Sequence, residues 1–209
     1  MENKNIDEIL SQIKELENQL IEEFKKKEEK FFYKIENEKA KFEQRVILDG
    51  KSKIISSLKY LSSFPFGVIL TIPFIWAMII PIVITDIFVT IYQAICFPIY
   101  KIPKVKRKEY VVMDRYNLFY LDKVERINCW YCEYFNGVVA YVREIAARTE
   151  QFWCPIKHSR PLKDKHSRYD QFFDFGDYTQ YRKELKERRA NFDDLKENKQ
   201  EDMKEKENV

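Results

Sequence analysis

LSSFPFGVILTIPFIWAMIIPIVITDIFVTIYQAICFPIY, residues 61–100, decides the fold. These forty residues contain no Lys, Arg or Glu, and Asp86 is their one charge. As a single helix the run would be about 60 Å long, twice the hydrocarbon core of a bilayer. Four prolines punctuate it, at 65, 73, 81 and 98. Pro81 lies near the middle, and Thr85 or Asp86 can cap a helix that follows. The expectation is therefore a helical hairpin, with arms over residues 64–80 and 87–100 and a turn at 81–86. A turn also spares Asp86 the roughly 2.5–3.5 kcal/mol that insertion of a charge costs at a membrane centre. Gln93 and Cys96, three residues apart, are expected to face the first arm. The second arm is short, about 21 Å, so a re-entrant segment and a buried soluble helix pair stand as alternatives.

Both flanks are basic: Lys51, Lys53 and Lys59 before the run, and Lys101, Lys104, Lys106, Arg107 and Lys108 after it. The positive-inside rule places two such flanks on the cytoplasmic side, with both termini. The second cluster suits anionic lipid headgroups at about 1 kcal/mol per basic residue. It abuts an apolar segment and no nucleic-acid motif follows, so nucleic acid is not the expected partner. The whole chain, 209 residues with net charge +3, is too nearly neutral for its overall charge to name a partner.

Outward from this block, residues 1–50 read as one amphipathic segment. Ile6, Ile9, Ile13, Leu16 and Leu20 follow a 3-4-3-4 spacing, the seam of a coiled coil. Phe24, Phe31, Ile35 and Phe42 continue it loosely, and Asp49-Gly50 reads as the break. The seam offers a homodimer or a membrane-complex partner; a helix folded on its own chain or a solvated stalk is the plain alternative. The opening Met1-Glu2-Asn3-Lys4-Asn5 and the charged helix after it do not read as a signal peptide.

Residues 109–168 form the second region of interest. Tyr110–Met113 and Leu118–Leu121 have strand composition around a turn-like Asp114–Asn117, so a short β-hairpin is expected. Asp122 is expected to cap a helix. Cys129 and Cys132 make a C-x2-C, and Cys154 and His158 make a C-x3-H. With Asn136-Gly137 breaking the helix between them, the four can close a tetrahedral Cys3His site, and zinc is the expected ion. Iron, a Cys129/Cys132 dithiol and packed thiols beside a surface histidine remain open. Glu133 stands where a zinc ribbon usually has glycine. Four cysteines in such a chain argue against a secreted disulfide scaffold. No nucleophile elbow, phosphate loop or His-Glu-x-x-His is present, so no catalytic residue is assigned. Residues 160–168 add a second basic run. The aromatics of residues 169–178 are expected to pack on the domain or at the bilayer interface. A sparse amphipathic helix extends to 195, and residues 196–209 read as a disordered charged tail.

The run Asn128-Cys129-x-Tyr131-Cys132-x-Tyr134-x-Asn136-Gly137, with Glu144–Glu150 (EIAARTE) and Trp153–His158 (WCPIKH), resembles a family of uncharacterised bacterial membrane proteins. The likeness reaches back through Tyr92–Pro98 and Ile102–Val105 and covers about residues 64 to 160. It implies bacterial origin and membrane residence and no reaction. The expectation is thus a mainly α membrane protein, made of an apolar hairpin and a small α-rich domain on the cytoplasmic face. Its function would be that of a metal-binding interaction protein, a membrane redox module, or an accessory subunit of a larger complex.

Overall fold

The computed structural model describes residues 2–36, 39–52, 54 and 56–195. The tail expected to be disordered, 196–209, lies outside them, as do the side chains of Ile6, Ile9 and Ile13. The chain is mainly helical, with one two-stranded sheet, and it divides into two compact units.

The first unit comprises residues 1–63 and 114–127. Helix α1, Glu2–Phe31, is rich in Glu, Lys and Leu, which lose little freedom in a helix. The helix does not run on to Phe42. Phe32 takes a left-handed conformation, φ 55°, and the chain turns into an antiparallel pair, β1 Tyr33–Glu36 and β2 Lys39–Phe42. Tyr33 stands opposite Phe42, and their rings are 5.5 Å apart. Nor does Asp49-Gly50 break the chain: α2, Gln44–Ser52, runs through it. A Cβ at Gly50 would lie 2.0 Å from the ring of Phe119, so the glycine serves close packing. Phe42 meets the same ring edge-on at 5.0 Å. A short helix α3, Ser57–Ser62, follows.

Residues 110–121 form no β-hairpin. Their apolar side chains pack singly, joined by a 3-10 turn at Arg115–Asn117, and the strand-forming composition is spent on knobs such as Phe119. Asp122 caps as expected. Its carboxylate accepts from Glu125 N–H at 2.7 Å, and its own N–H donates to the Glu125 carboxylate at 2.9 Å, a reciprocal capping box.

The second unit comprises residues 64–113 and 128 onward. Here the hairpin expectation fails. Helix α4, Phe66–Ala77, leads directly into α5, Ile79–Tyr100, across the single residue Met78. Pro81 is the third residue of α5, in the first turn, where a missing N–H costs little. The Thr85 hydroxyl donates to the Pro81 carbonyl at 2.7 Å. Residues 81–86 are therefore helix, and Phe66–Tyr100 is one helical run, about 52 Å of rise. At Lys101 the chain reverses in a left-handed cap, φ 57°, and a four-residue helix α6, Arg107–Tyr110, follows.

Helix α7, Lys123–Trp153, likewise runs unbroken through Asn136-Gly137. A Cβ at Gly137 would come within 2.8 Å of Val111 Cα and 3.0 Å of the Tyr110 carbonyl. The glycine lets the backbone of residues 110–111 lie against the helix. Gly137→Ala is therefore expected to destabilise by about 1–2 kcal/mol through overpacking, although the same change on an open helix gains about 1 kcal/mol. Chemical denaturation of the purified variant decides the sign, and a gain in stability would refute this close approach.

After α7 the chain folds back. Phe173 N–H donates to the Pro155 carbonyl at 2.9 Å and Lys157 N–H to the Phe173 carbonyl at 2.8 Å. This seats part of the aromatic segment on the domain: Tyr169, Phe172 and Phe173 are buried, while Phe175 and Tyr178 are exposed. Helix α8, Tyr178–Ala190, begins at Asp177, which accepts from Gln180 N–H. Phe192 then joins Phe97, Ile102, Val105, Tyr141 and Ile145 in the core.

Candidate functional site

The buried face of α5 decides what this unit can do. Ile82, Asp86, Gln93 and Phe97 are its buried residues, spaced 4-7-4, which puts all four on one helix face. Two of them are polar, in a helix otherwise made for lipid. Their partners come from α7 and from residues 102–111, which run back along the helix pair.

At one level, Arg107 grips Asp86 with two bonds, Nε–H to Oδ1 at 3.1 Å and Nη2–H to Oδ2 at 2.7 Å. The Tyr134 hydroxyl donates to the same Oδ2 at 3.0 Å. Two turns further on, Gln93 plays an equivalent part with neutral groups. Its carbonyl accepts from Val105 N–H at 3.0 Å, and its amide donates to the Val105 carbonyl at 3.2 Å and to the Tyr141 hydroxyl. Tyr92 and Thr149 share a third bond, 3.1 Å. Near the far end, Tyr100 stacks on Phe152 with ring centres 4.8 Å apart. Contacts climb both helices together, 86 with 134, 93 with 141 and 100 with 152, so α5 and α7 run parallel. A parallel pair requires the chain to return between them, and residues 102–111 are that return.

The electrostatics follow. The Asp86 carboxylate holds the Arg107 guanidinium firmly protonated, above its ordinary range. Burial, and then the bond to Asp86, push the Tyr134 phenol up, so it remains a donor. Burial raises the Tyr110 phenol in the same way. Each polar group is matched by an internal partner, and the arrangement clamps the return segment onto α5. The apolar face of α5 is left outward, whereas α7 buries Val138, Tyr141, Ile145 and Ala147 in the core.

The cysteine site expected from the sequence is not assembled. Cys129 and Cys132 lie one turn apart on α7, while Cys154 follows its last residue. The 22 residues from Cys132 to Cys154 are about 33 Å of continuous helix, far beyond a single ion's reach. This separation follows from Gly137 packing within the helix. His158 lies elsewhere: its backbone N–H donates to the Tyr169 hydroxyl at 2.8 Å, and its ring stacks on Tyr169. Among the described residues no group of three or more His, Cys, Asp or Glu side chains is placed to hold a metal.

The basic cluster divides. Arg107 is committed to Asp86, and Lys106 lies 2.6 Å from Glu109. Lys101, Lys104 and Lys108 are exposed. In the second basic run, Arg168 is buried at the centre of the domain and is no surface cation. Sequence reasoning missed the Asp86–Arg107–Tyr134 cluster, although its signal was present: Asp86 and Gln93 stand one heptad apart in an apolar helix, and Gln93 had been placed on a buried face.

No protein-family model, no curated protein and no solved structure matches this chain.

Proposed function

We propose that this protein is a non-catalytic interaction or accessory protein, seated in a membrane from one side through α4 and α5. The run Phe66–Tyr100 has a mean hydropathy of 2.5 in its most apolar window, and only 6% of that window is buried. Helix α4 has no buried residue, and only Trp76, packed on Tyr131, is half-buried. Along α5, Ile80, Ile84, Ile87, Phe88, Ile91, Ile95 and Ile99 stand outward, opposite the polar seam. Such a surface is costly in water and suited to lipid.

The observation that carries the one-sided reading lies in the first unit. Phe42 and Gly50 precede the apolar run in sequence and Phe119 follows it, yet they touch. A helix that crossed the bilayer once would part them, unless the return segment crossed as well. That segment carries Lys104, Lys106 and Lys108, which hydrocarbon rejects. We therefore read both flanks as lying on one side of the bilayer, as their basic charge asks, without any hairpin turn at Pro81. The exposed Lys101, Lys104 and Lys108 meet anionic headgroups at about 1 kcal/mol each. The basic flanks put that face on the cytoplasmic side, and the resemblance noted in the sequence suits a bacterial membrane. Nothing in this reading calls on a metal, because a helix length separates the cysteine pairs.

Two measurements test it. The protein should stay with membranes through alkaline carbonate and high salt. A Lys59→Cys variant and native Cys154, both exposed, should react with a membrane-impermeant maleimide from the same side, in inverted vesicles and not in intact spheroplasts. Labelling from opposite sides would establish a full crossing, and release by salt would end the membrane reading.

A further inference from the structure

Helix α5 has 22 residues, about 33 Å of rise, which is enough to cross a hydrocarbon core. Aromatic pairs stand near both of its ends: Trp76 is 5.1 Å from Tyr131, and Tyr100 is 5.5 Å from Trp153. Such pairs suit the two interfaces of a crossing helix. What lies alongside α5 decides against that orientation.

The helix cannot turn on its own. Asp86, Gln93 and Tyr100 lock it to α7, which runs parallel, and to the return segment 102–111. Level with α5, α7 carries the exposed Arg143, and the return segment carries the exposed Lys104, Lys106 and Lys108. An upright α5 would draw all four into hydrocarbon, which rejects charge. A flat α5 leaves them in water or among headgroups.

The outward face has the shape that a flat seat needs. At 100° per residue its isoleucines and Phe88 span about 120° of arc, opposite the buried Asp86, Gln93 and Phe97. Ile84, Ile91 and Ile95 lie within about 40° of one another at the middle of this arc, and they are 50%, 51% and 59% exposed. A helix with one apolar face lies in the plane of a membrane, with that face about 5–10 Å into the boundary between headgroups and acyl chains. Here the backing on the other face is the domain itself.

We propose that α5 lies flat in a single leaflet, with Ile84, Ile91 and Ile95 among its acyl chains and α7 held on the aqueous side. The orientation rests on the membrane seat proposed above, which by itself suits a flat helix or a steep re-entrant one.

The test is the depth of three labels on the full-length protein in vesicles of phosphatidylcholine and phosphatidylglycerol. Cys96→Ala, Cys129→Ser, Cys132→Ser and Cys154→Ser remove the native thiols. A nitroxide is then attached at Ile84→Cys, Ile91→Cys or Ile95→Cys. Electron paramagnetic resonance reads its depth from collisions with oxygen and with a water-soluble nickel chelate. All three labels should sit at one depth in the upper acyl region. Ile95 is eleven residues past Ile84, so a steep α5 would grade the depths by about 16 Å. A gradient of that size overturns the flat orientation and leaves the membrane seat standing. Free collision with nickel at all three sites ends both. If the cysteine-free background loses its helical circular dichroism, single lysines at the same sites in the native chain replace the labels. On a flat helix they weaken vesicle binding alike, and a loss concentrated at one of the three overturns the proposal.

Discussion

Arg107→Met is expected to cost about 3 kcal/mol of stability, the lower end of what breaking a buried ion pair costs, because Arg107 keeps contact with water. The loss comes less from the missing attraction than from what stays behind. Asp86 has a side chain 11% exposed, on a helix whose outer face is isoleucine and phenylalanine. Without the guanidinium it retains only the neutral Tyr134 and Thr90 hydroxyls. An uncompensated carboxylate there favours any state that lets water in, and lifting residues 102–111 off the helix pair is the shortest way. Trp130 reads the event directly, since its ring stacks on Tyr134 at 5.9 Å. Its fluorescence in a denaturant titration should therefore shift at lower denaturant than in the wild type. The decisive comparison is Asp86→Leu/Arg107→Met. With both charges gone and the volume kept, the seam becomes apolar and most of the lost stability should return, as it does when buried ion pairs are replaced whole. If the double variant is as unstable as the single one, the pair does not clamp the segment and the role given to the seam is wrong.

The clamp also shows which parts of this fold were legible. Amphipathic and apolar periodicity marked the long helices, the cap at Asp122 and the solvent-averse block. What failed were the punctuation residues. Pro81, Asp49-Gly50 and Asn136-Gly137 each carry the local signature of a break, and each lies inside a helix. Proline is tolerated when the preceding break, here Met78, makes it a first-turn residue. The two glycines are used for what they lack, since a Cβ at either would strike Phe119 or the backbone of Val111. Such contacts join residues far apart in sequence, so no local window can hold them. The cysteine site fell with the same error. C-x2-C and C-x3-H close on one ion only if the chain turns between them, and Gly137 was the turn that reading needed. Strand composition failed at residues 110–121 for a related reason: aromatic and β-branched side chains suit a close-packed surface of any kind. That Lys106 and Arg107 meet carboxylates likewise depends on residues 109 and 86, one next door and one on another helix.

Arg168→Ala is expected to have a larger effect, about 3–5 kcal/mol, and a different address. Arg168 is 1% exposed and spends its guanidinium on four acceptors. It donates to the Gln151 side chain at 2.6 Å, the Gln171 side chain at 2.9 Å, the Asn191 carbonyl at 3.1 Å and the Asp194 carboxylate. Its flat face covers Phe192 at 5.2 Å. Gln151, fully buried, passes the connection on to the Arg188 and Asn191 carbonyls at 3.0 and 2.6 Å. One side chain thus ties α7, the 3-10 turn Tyr169–Gln171 and the end of α8 together. Truncation takes the guanidinium from the Gln151 and Gln171 side-chain oxygens and from the Asp194 carboxylate, and Phe192 loses its cover. Helix α8 should then undock, and proteases should cut within residues 178–195 at concentrations that leave the wild type intact. Arg168→Lys should recover only part of the loss, because an ammonium cannot fork to four acceptors in one plane. Trp130, on the other side of the core, should report little change. The two variants therefore separate the clamp from the C-terminal dock. Arg107→Met should disturb Trp130 with α8 still protected, and Arg168→Ala should do the reverse. A lysine variant as stable and as protease-resistant as the wild type would show that Arg168 merely fills space.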